Sequence, residues 1–442
     1  MRRLLPLLLV LSVLAIGCKT SSGSSDPDDA GKLDTTFNDP YGFTVNAESS
    51  GGTIVYARLA VQGDGRIVAV GSTSPLGDNS RMLVARYTPD GRLDASFGTD
   101  GTVTYTSGAD EPGIARAVAL QDDGRIVVCG YSFTEDGGLV LVIRLNADGT
   151  LDTAFGTNGA VNLAVQEATP AIAAGMAVAV QSDGAIVVAG ISLSPDVIGQ
   201  GFVLRLTRNG SLDGDFAEDG IYTEDTGAWF STVYGLALSA DGAVTAAGVI
   251  CETEDGQIKP MLLRLTPQGR LDTSFGDGGL AVWGDPAGAD AQLLDLAVGD
   301  DRSLAAVGYI LAQDDNNDML ALRFTPDGAL DTSFADSGAF TFDEDKYDSL
   351  QGVTVLPSGS ILATGEARND DTGTLVLLKL TPGGALATNF GDKGVFAFQP
   401  GATQPAEGVG LAVQPGRGIL ACGSTAPDEQ SPREGLLLRV HD

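Results

Sequence analysis

The chain's one histidine, His441, is its penultimate residue. A Ser-His-Asp triad, a Cys-His pair and a multi-histidine metal site each need residues that this chain lacks. Four cysteines show no CxxC spacing for metal or redox work, and the many glycines sit in repeated turns, not in a phosphate-cradling loop. Carboxylates are what remains. Paired acids can hydrolyse glycosides, but with 58 Asp plus Glu no pair stands out. Asp314-x-Asn316-x-Asp318 begins like an oxygen-ligand calcium loop, yet Met319 and Thr325 occupy positions six and twelve, where an EF-hand needs Gly and Glu. The pattern leaves a divalent cation, calcium, as an open alternative and no other cofactor. The reading is therefore of a binding protein, not an enzyme.

Composition narrows the class. With 26 Lys plus Arg against 58 acids the formal charge is −32, which excludes nucleic acid as a partner because phosphate binding needs a cationic face. At 43% hydrophobic and 19% charged residues, the chain buries a large core and is not a disordered polyanion.

The N-terminus reads as an address. Arg2 and Arg3 precede an apolar run, Leu4 to Ile16, too short for a membrane-spanning helix but suited to a secretory leader. It closes on Leu14-Ala15-Ile16-Gly17-Cys18, which resembles a bacterial lipobox, with Ala15 where Leu is commonest. The resemblance implies cleavage before Cys18, a lipid on its sulfur and anchoring to a membrane of the cell envelope. Lys19 after that cysteine, in place of Asp, resembles lipoproteins sent on to the outer membrane. The boundaries expected are a leader over 1–17, a Ser/Gly/Asp tether over 18–32 and a folded domain over 33–442.

That domain is repetitive. Leu-Asp-x-x-Phe begins at Leu33, Leu93, Leu151, Leu212, Leu271 and Leu330 and returns as LATNF at Leu386, at spacings of 60, 58, 61, 59, 59 and 56 residues. Each unit carries an apolar stretch, an Asp-Gly type turn, a second apolar stretch ending in Gly, a variable loop and a third stretch with one basic residue. In the second unit these read ARAVALQ, DDG, RIVVCGYS, TEDGG and LVLVIRLN. Four short strands per unit with no helical period make an all-β domain. Strands such as Val118-Ala119-Leu120 are apolar on both sides, so both sheet faces must be covered, as in a ring of four-stranded antiparallel sheets. The expected fold is a seven-bladed β-propeller.

The motif stands as TPDGRLDASFG (Thr88 to Gly98), NADGTLDTAFG (Asn146 to Gly156), TPQGRLDTSFG (Thr266 to Gly276) and TPDGALDTSFA (Thr325 to Ala335). It resembles the delta-60 repeat of bacterial surface and secreted proteins, a family taken to form β-propellers. The resemblance implies a fold and no function.

The chain begins with an outermost strand near Tyr41 to Asn46 and ends on a basic strand, Leu436 to Val440, so the first strand is expected to complete the last blade. The basic residue stands eight positions ahead of the LD Asp, which predicts one structural ion pair per blade: Arg86 with Asp94, Arg144 with Asp152, Arg205 with Asp213, Arg264 with Asp272, Arg323 with Asp331, and Arg439 with Asp34 across the closure. The unit with Ala387 in place of Asp also has Lys379 in place of Arg. Cys129, Cys251 and Cys422 are expected as free thiols. Binding is expected on the face carrying the variable loops, where Glu254, Asp255, Asp315 and Asp345 supply acid and Trp229 with Phe230 an aromatic anchor. The expected ligand is a protein or glycan. A calcium-stabilised adhesin and a carboxylate-dependent enzyme on extracellular polysaccharide are the alternatives.

Overall fold

The computed structural model describes residues 29–442 except 109–110, 135–136, 166–170, 195–196, 225–226, 312–315, 345, 370–371, 402 and 429. Cys18 and the leader lie outside the described residues, as do Asp314, Asp315 and Asp345. No α-helix occurs among the described residues.

The strands run in chain order: β1 (Phe43–Asn46); β2 (Thr53–Val61), β3 (Ile67–Ser74), β4 (Arg81–Tyr87), β5 (Thr102–Tyr105); β6 (Gly113–Leu120), β7 (Ile126–Thr134), β8 (Gly137–Leu145), β9 (Ala160–Leu163); β10 (Ala171–Val180), β11 (Ile186–Ser194), β12 (Val197–Leu206), β13 (Ile221–Thr223). They continue as β14 (Phe230–Leu238), β15 (Val244–Cys251), β16 (Lys259–Leu265), β17 (Leu280–Val282); β18 (Ala291–Val298), β19 (Leu304–Leu311), β20 (Asn317–Phe324), β21 (Ala339–Phe342); β22 (Tyr347–Val355), β23 (Ile361–Arg368), β24 (Gly373–Leu380), β25 (Val395–Phe398); β26 (Ala406–Gln414), β27 (Gly418–Thr425) and β28 (Glu434–Val440). Each consecutive group of four is an antiparallel meander. Two pairs of groups merge into eight-stranded sheets through short parallel contacts, Gly137–Gly138 with Ala171–Ile172 and Asn317 with Tyr347. The last sheet has the order β1-β28-β27-β26, so the N-terminal strand completes the C-terminal group.

Turn chemistry sets these meanders. At the first inner turn Gly65 takes φ 84°, Asp64 Oδ1 accepts the Arg66 N–H at 3.0 Å, and Gln62 N–H donates to Arg66 O at 2.8 Å. Packing then joins the groups. Apolar clusters lie between consecutive groups, for example Val68, Val70 and Met82 of the first against Ile126, Val128 and Leu141 of the second. A further cluster joins Leu420, Cys422 and Leu437 to Ile54, Tyr56 and Leu83, so the series of sheets returns on itself. Each LDxxF phenylalanine is fully buried, from Phe37 to Phe390.

The glycine expected to end the second strand of each repeat instead lies within it, as Gly71 does in β3 and Gly365 in β23, and has a specific cause. A Cβ on Gly71 would collide with the Val55 carbonyl oxygen, and one on Gly365 with that of Ser349. In both cases the innermost strand bulges just beyond that carbonyl, its register shifting between Tyr56 and Arg58 and between Leu350 and Gly352.

Residues 30–32, assigned to the tether by sequence, dock onto the domain. Gly31 N–H donates to His441 O at 2.8 Å, His441 N–H to Lys32 O at 2.9 Å, and Gly391 N–H to Ala30 O at 3.0 Å. Their low apolar content concealed this, because backbone hydrogen bonds hold them.

Candidate functional site at the axis and its mouth

Every innermost strand carries one bulge, and each bypasses one residue: Ala57, Arg116, Met176, Tyr234, Leu294, Gln351 and Val409. These residues, with Arg58, line a single cavity of about 50 Å³. The bulge is thus the device that turns one side chain per repeat toward the common axis.

The next position is small in most repeats: Ala117, Ala177, Gly235, Gly352 and Gly410. The room is needed, since a Cβ on Gly410 would meet the Arg58 backbone at 2.9 Å and one on Gly235 the Asp295 backbone at 2.9 Å. The two exceptions are Arg58 and Asp295, from the first and fifth repeats, and they face each other across the axis with Nη2 and Oδ1 4.0 Å apart. Arg58 Nη1 also donates to the carbonyls of Ala57 and Val409, both at 3.0 Å, while Asp295 Oδ2 accepts the Val353 N–H at 3.0 Å. Burial pushes the Asp295 carboxyl above its ordinary range, with Arg58 opposing. This contact adjoins the axial cavity, which Arg58 also lines.

Two residues earlier on the same strands lies the mouth, on the variable-loop side. Glu407 Oε1 accepts the Ser424 hydroxyl at 2.6 Å and sits 2.7 Å from Arg433 Nη1. Glu366, paired in register with Ser349, is flanked by Arg368 at 3.5 Å. Burial, and then the neighbouring Glu407 charge, push the Glu366 carboxyl up to about 7. Tyr309 donates to Gln292 Oε1 at 2.6 Å close by.

The ion pairs anticipated from sequence are present as contacts. Nε to Oδ2 distances are 2.8 Å for Arg86–Asp94 and Arg144–Asp152, 2.7 Å for Arg205–Asp213 and Arg323–Asp331, 2.6 Å for Arg439–Asp34 and 3.4 Å for Arg264–Asp272. Each guanidinium lies over the LDxxF ring of its own motif, 4.5–5.3 Å from the centroid. Each also reaches a turn carbonyl of the following repeat, as Arg205 does to Pro267 O at 2.6 Å and Arg439 to Pro89 O at 2.9 Å. Where Ala387 replaces the Asp, Lys379 instead meets Asp442 at 2.5 Å, a substitute that the repeat pattern did not reveal. His441 belongs to this framework, with Nε2 3.7 Å from Asp34 Oδ1.

On the variable face, Glu254 and Asp255 are exposed in the β15–β16 turn. Trp229 is 38% exposed. Phe230 differs from expectation: it is half-buried because its ring packs where a Cβ on Gly199 would stand. Asn316 and Asp318 are half-buried, and among the described residues no three His, Cys, Asp or Glu side chains gather as a metal would require. Cys129, Cys251 and Cys422 are free and buried. Sequence reasoning missed Arg58, Arg116, Asp295, Glu366 and Glu407. Their signal was departure from the repeat: charges at positions where the sister strands carry uncharged residues.

Segments 62–97, 121–155, 181–216 and 300–334 match the family model described as "Domain of unknown function (DUF5122) beta-propeller". No curated protein sequence matches the chain. Among solved structures it is similar to polysaccharide lyase Uly1, at 10% identity and TM-score 0.51 over 87% of this chain and 90% of that one. It is also similar to a Dyadobacter fermentans protein of unknown function, at 11% identity and TM-score 0.47 over 90% and 98% of the two chains. A Trypanosoma rangeli sialidase mutant with trans-sialidase activity follows at 7% identity and TM-score 0.43, over 90% of this chain and 59% of that one. At such identities the likeness concerns fold alone. Together with the internal repeat and the all-β meanders, the matched segments support a fold of the β-propeller repeat type for this chain.

Proposed function

We propose that the chain is a cell-envelope lipoprotein, anchored through Cys18, whose seven-bladed propeller is a binding or scaffolding module working through its variable face. One observation carries the reading. Of ten exposed large apolar side chains among the described residues, six lie on that face: Leu76, Phe133, Ile172, Trp229, Leu311 and Tyr347. Apolar side chains set among acidic loops are the makeup of an interaction surface with a protein or glycan, where aromatic residues act as anchors. The blade count rests on the four-strand groups and on the cluster that joins the last to the first.

The test has two arms. Membrane fractionation of wild type against Cys18→Ser reads the anchor, and continued membrane association of the variant defeats it. Crosslinking in intact cells, comparing wild type with Trp229→Ala/Tyr347→Ala, reads the face; unchanged adducts defeat it. Melting in EDTA and in millimolar calcium discriminates the adhesin reading, because a cation bound only by the folded form raises Tm.

A second reading is favoured by Glu366 and Glu407. Two acids at the channel mouth, one held up to about 7, are the arrangement that a carboxylate-dependent reaction on polysaccharide would use. Release of reducing ends from envelope or matrix glycans, abolished by Glu366→Gln with the fold intact, would support it; no release from a broad glycan panel counts against it.

A further inference from the structure

Most charges of this chain are acids, yet the side chains that the bulges and their neighbours bring to the axis are cationic. Arg58 and Arg116 share the 50 Å³ cavity with Tyr234 and Gln351, and Asp295 is the carboxylate that faces Arg58. Two guanidiniums thus stand against one carboxylate. Arg58 is already engaged by two backbone carbonyls and, at 4.0 Å, by Asp295. Arg116 is different: among the described residues it has neither a carboxylate nor a hydrogen-bond partner, and burial, together with the like charge of Arg58, works against its charged form. Arg116 is half-buried, and its guanidinium N–H groups are not sealed off from solvent, so they remain available as donors to a ligand in the cavity. The remaining wall, Met176, Leu294, Val409 and Ala57, is apolar and gives a small anion no competing acceptor side chain.

We propose that the axial cavity is a binding site for one small anion, a carboxylate or halide, held by Arg116 with Arg58, the Tyr234 hydroxyl and the Gln351 amide as further donors. A guanidinium fork matches a carboxylate in two parallel hydrogen bonds. Size sets the class: roughly 10–15 Å³ of such space holds one water, so this cavity holds an ion of formate or chloride size and no sugar. The acids at the mouth do not forbid entry, since Glu407 is paired with Arg433 and Glu366 is flanked by Arg368 at 3.5 Å. This site is independent of the variable-face reading. Its ligand sits below the mouth, above or beside the trans-axial Arg58–Asp295 contact.

The experiment is a melt of the full chain titrated with sodium formate, with sodium chloride in a parallel series, ionic strength being held with sodium gluconate, whose anion is too large for the cavity. Saturable stabilisation is expected, about 1–2 °C at a tenfold excess over Kd for a domain of this length. Arg116→Met should abolish the shift and leave the anion-free melt nearly unchanged, since the half-buried guanidinium makes no hydrogen bond to the described residues that the change would break. No saturable rise in wild type, or the same rise in Arg116→Met, would overturn the site. A second measurement does not depend on the variant folding: 13C-formate resonances should broaden on adding wild-type protein and sharpen again on adding chloride but not gluconate. Unbroadened formate, or equal displacement by gluconate, also overturns it.

Discussion

Arg439→Met tests whether burial sets the worth of the repeated ion pairs. In the native protein Arg439 binds Asp34 at 2.6 Å, the Pro89 carbonyl at 2.9 Å, Gln414 Oε1 at 3.0 Å and Thr36 Oγ1 at 3.1 Å. Its side chain is 4% exposed and that of Asp34 is 3% exposed. Burial pushes the Asp34 carboxyl up, but hydrogen bonds from Thr36 and the Arg439 charge outweigh it and hold the group below its ordinary range. Removing the cation strands that carboxylate, which costs about 3–5 kcal/mol. At about 2.1 cal/mol/K of unfolding entropy per residue, this lowers Tm by roughly 4–6 °C. The same chemical change at Arg264 meets a different setting: the pair is 3.4 Å apart with side chains 19% and 22% exposed, and the main loss is the bond to Pro326 O at 2.5 Å. Its expected cost is about 1–2 kcal/mol, or 1–2 °C. Calorimetry on both variants decides. Equal losses would refute the burial argument, as would failure of Asp34→Asn to recover part of the Arg439→Met loss.

Glu366 makes stability depend on pH. Its folded value, about 7, lies above the ordinary 4.5, so its contribution is full below pH 4.5 and is lost as pH rises through about 7. The span corresponds to up to about 3 kcal/mol; Glu366→Gln should flatten chemical-denaturation stability across that window, and an unchanged slope would count against the assignment. Removing residues 29–47 deletes β1, the fully buried Phe37 and Asp34. The expected loss is about 6–10 kcal/mol, read as a melt lowered by roughly 7–12 °C; an unaltered melt would show that the N-terminal strand does not hold the last sheet. Cys129 and Cys422 are fully buried with thiols pushed up to about 12, and Cys251 is 2% exposed. A thiol reagent should therefore label none of the three before denaturant is added, and labelling of the native protein would contradict their packing.

The sequence by itself determined what is periodic. Asp-Gly turns, alternating apolar strands and the LDxxF motif recur because every repeat solves the same packing problem, so strand number per unit, the order of strands within a sheet and the Arg–Asp spacing were legible from one unit compared with the next. The closing role of β1 was legible for the same reason, since a chain that starts one strand late must complete its last sheet with its first. What only the tertiary structure decided is what is singular. Arg58 and Asp295 lie in repeats far apart in sequence and become partners because both follow a bulge that faces the same axis. Arg116, Tyr234 and Gln351 share a cavity for that reason alone. Lys379 found Asp442 only because the end of the chain passes beside it, and Glu366 is made a weaker acid by burial between sheets and then by the charge of Glu407 on the neighbouring sheet. Periodicity is a local property that the chain spells out, whereas contacts across the axis depend on how the repeats close, and closure is set by packing between sheets.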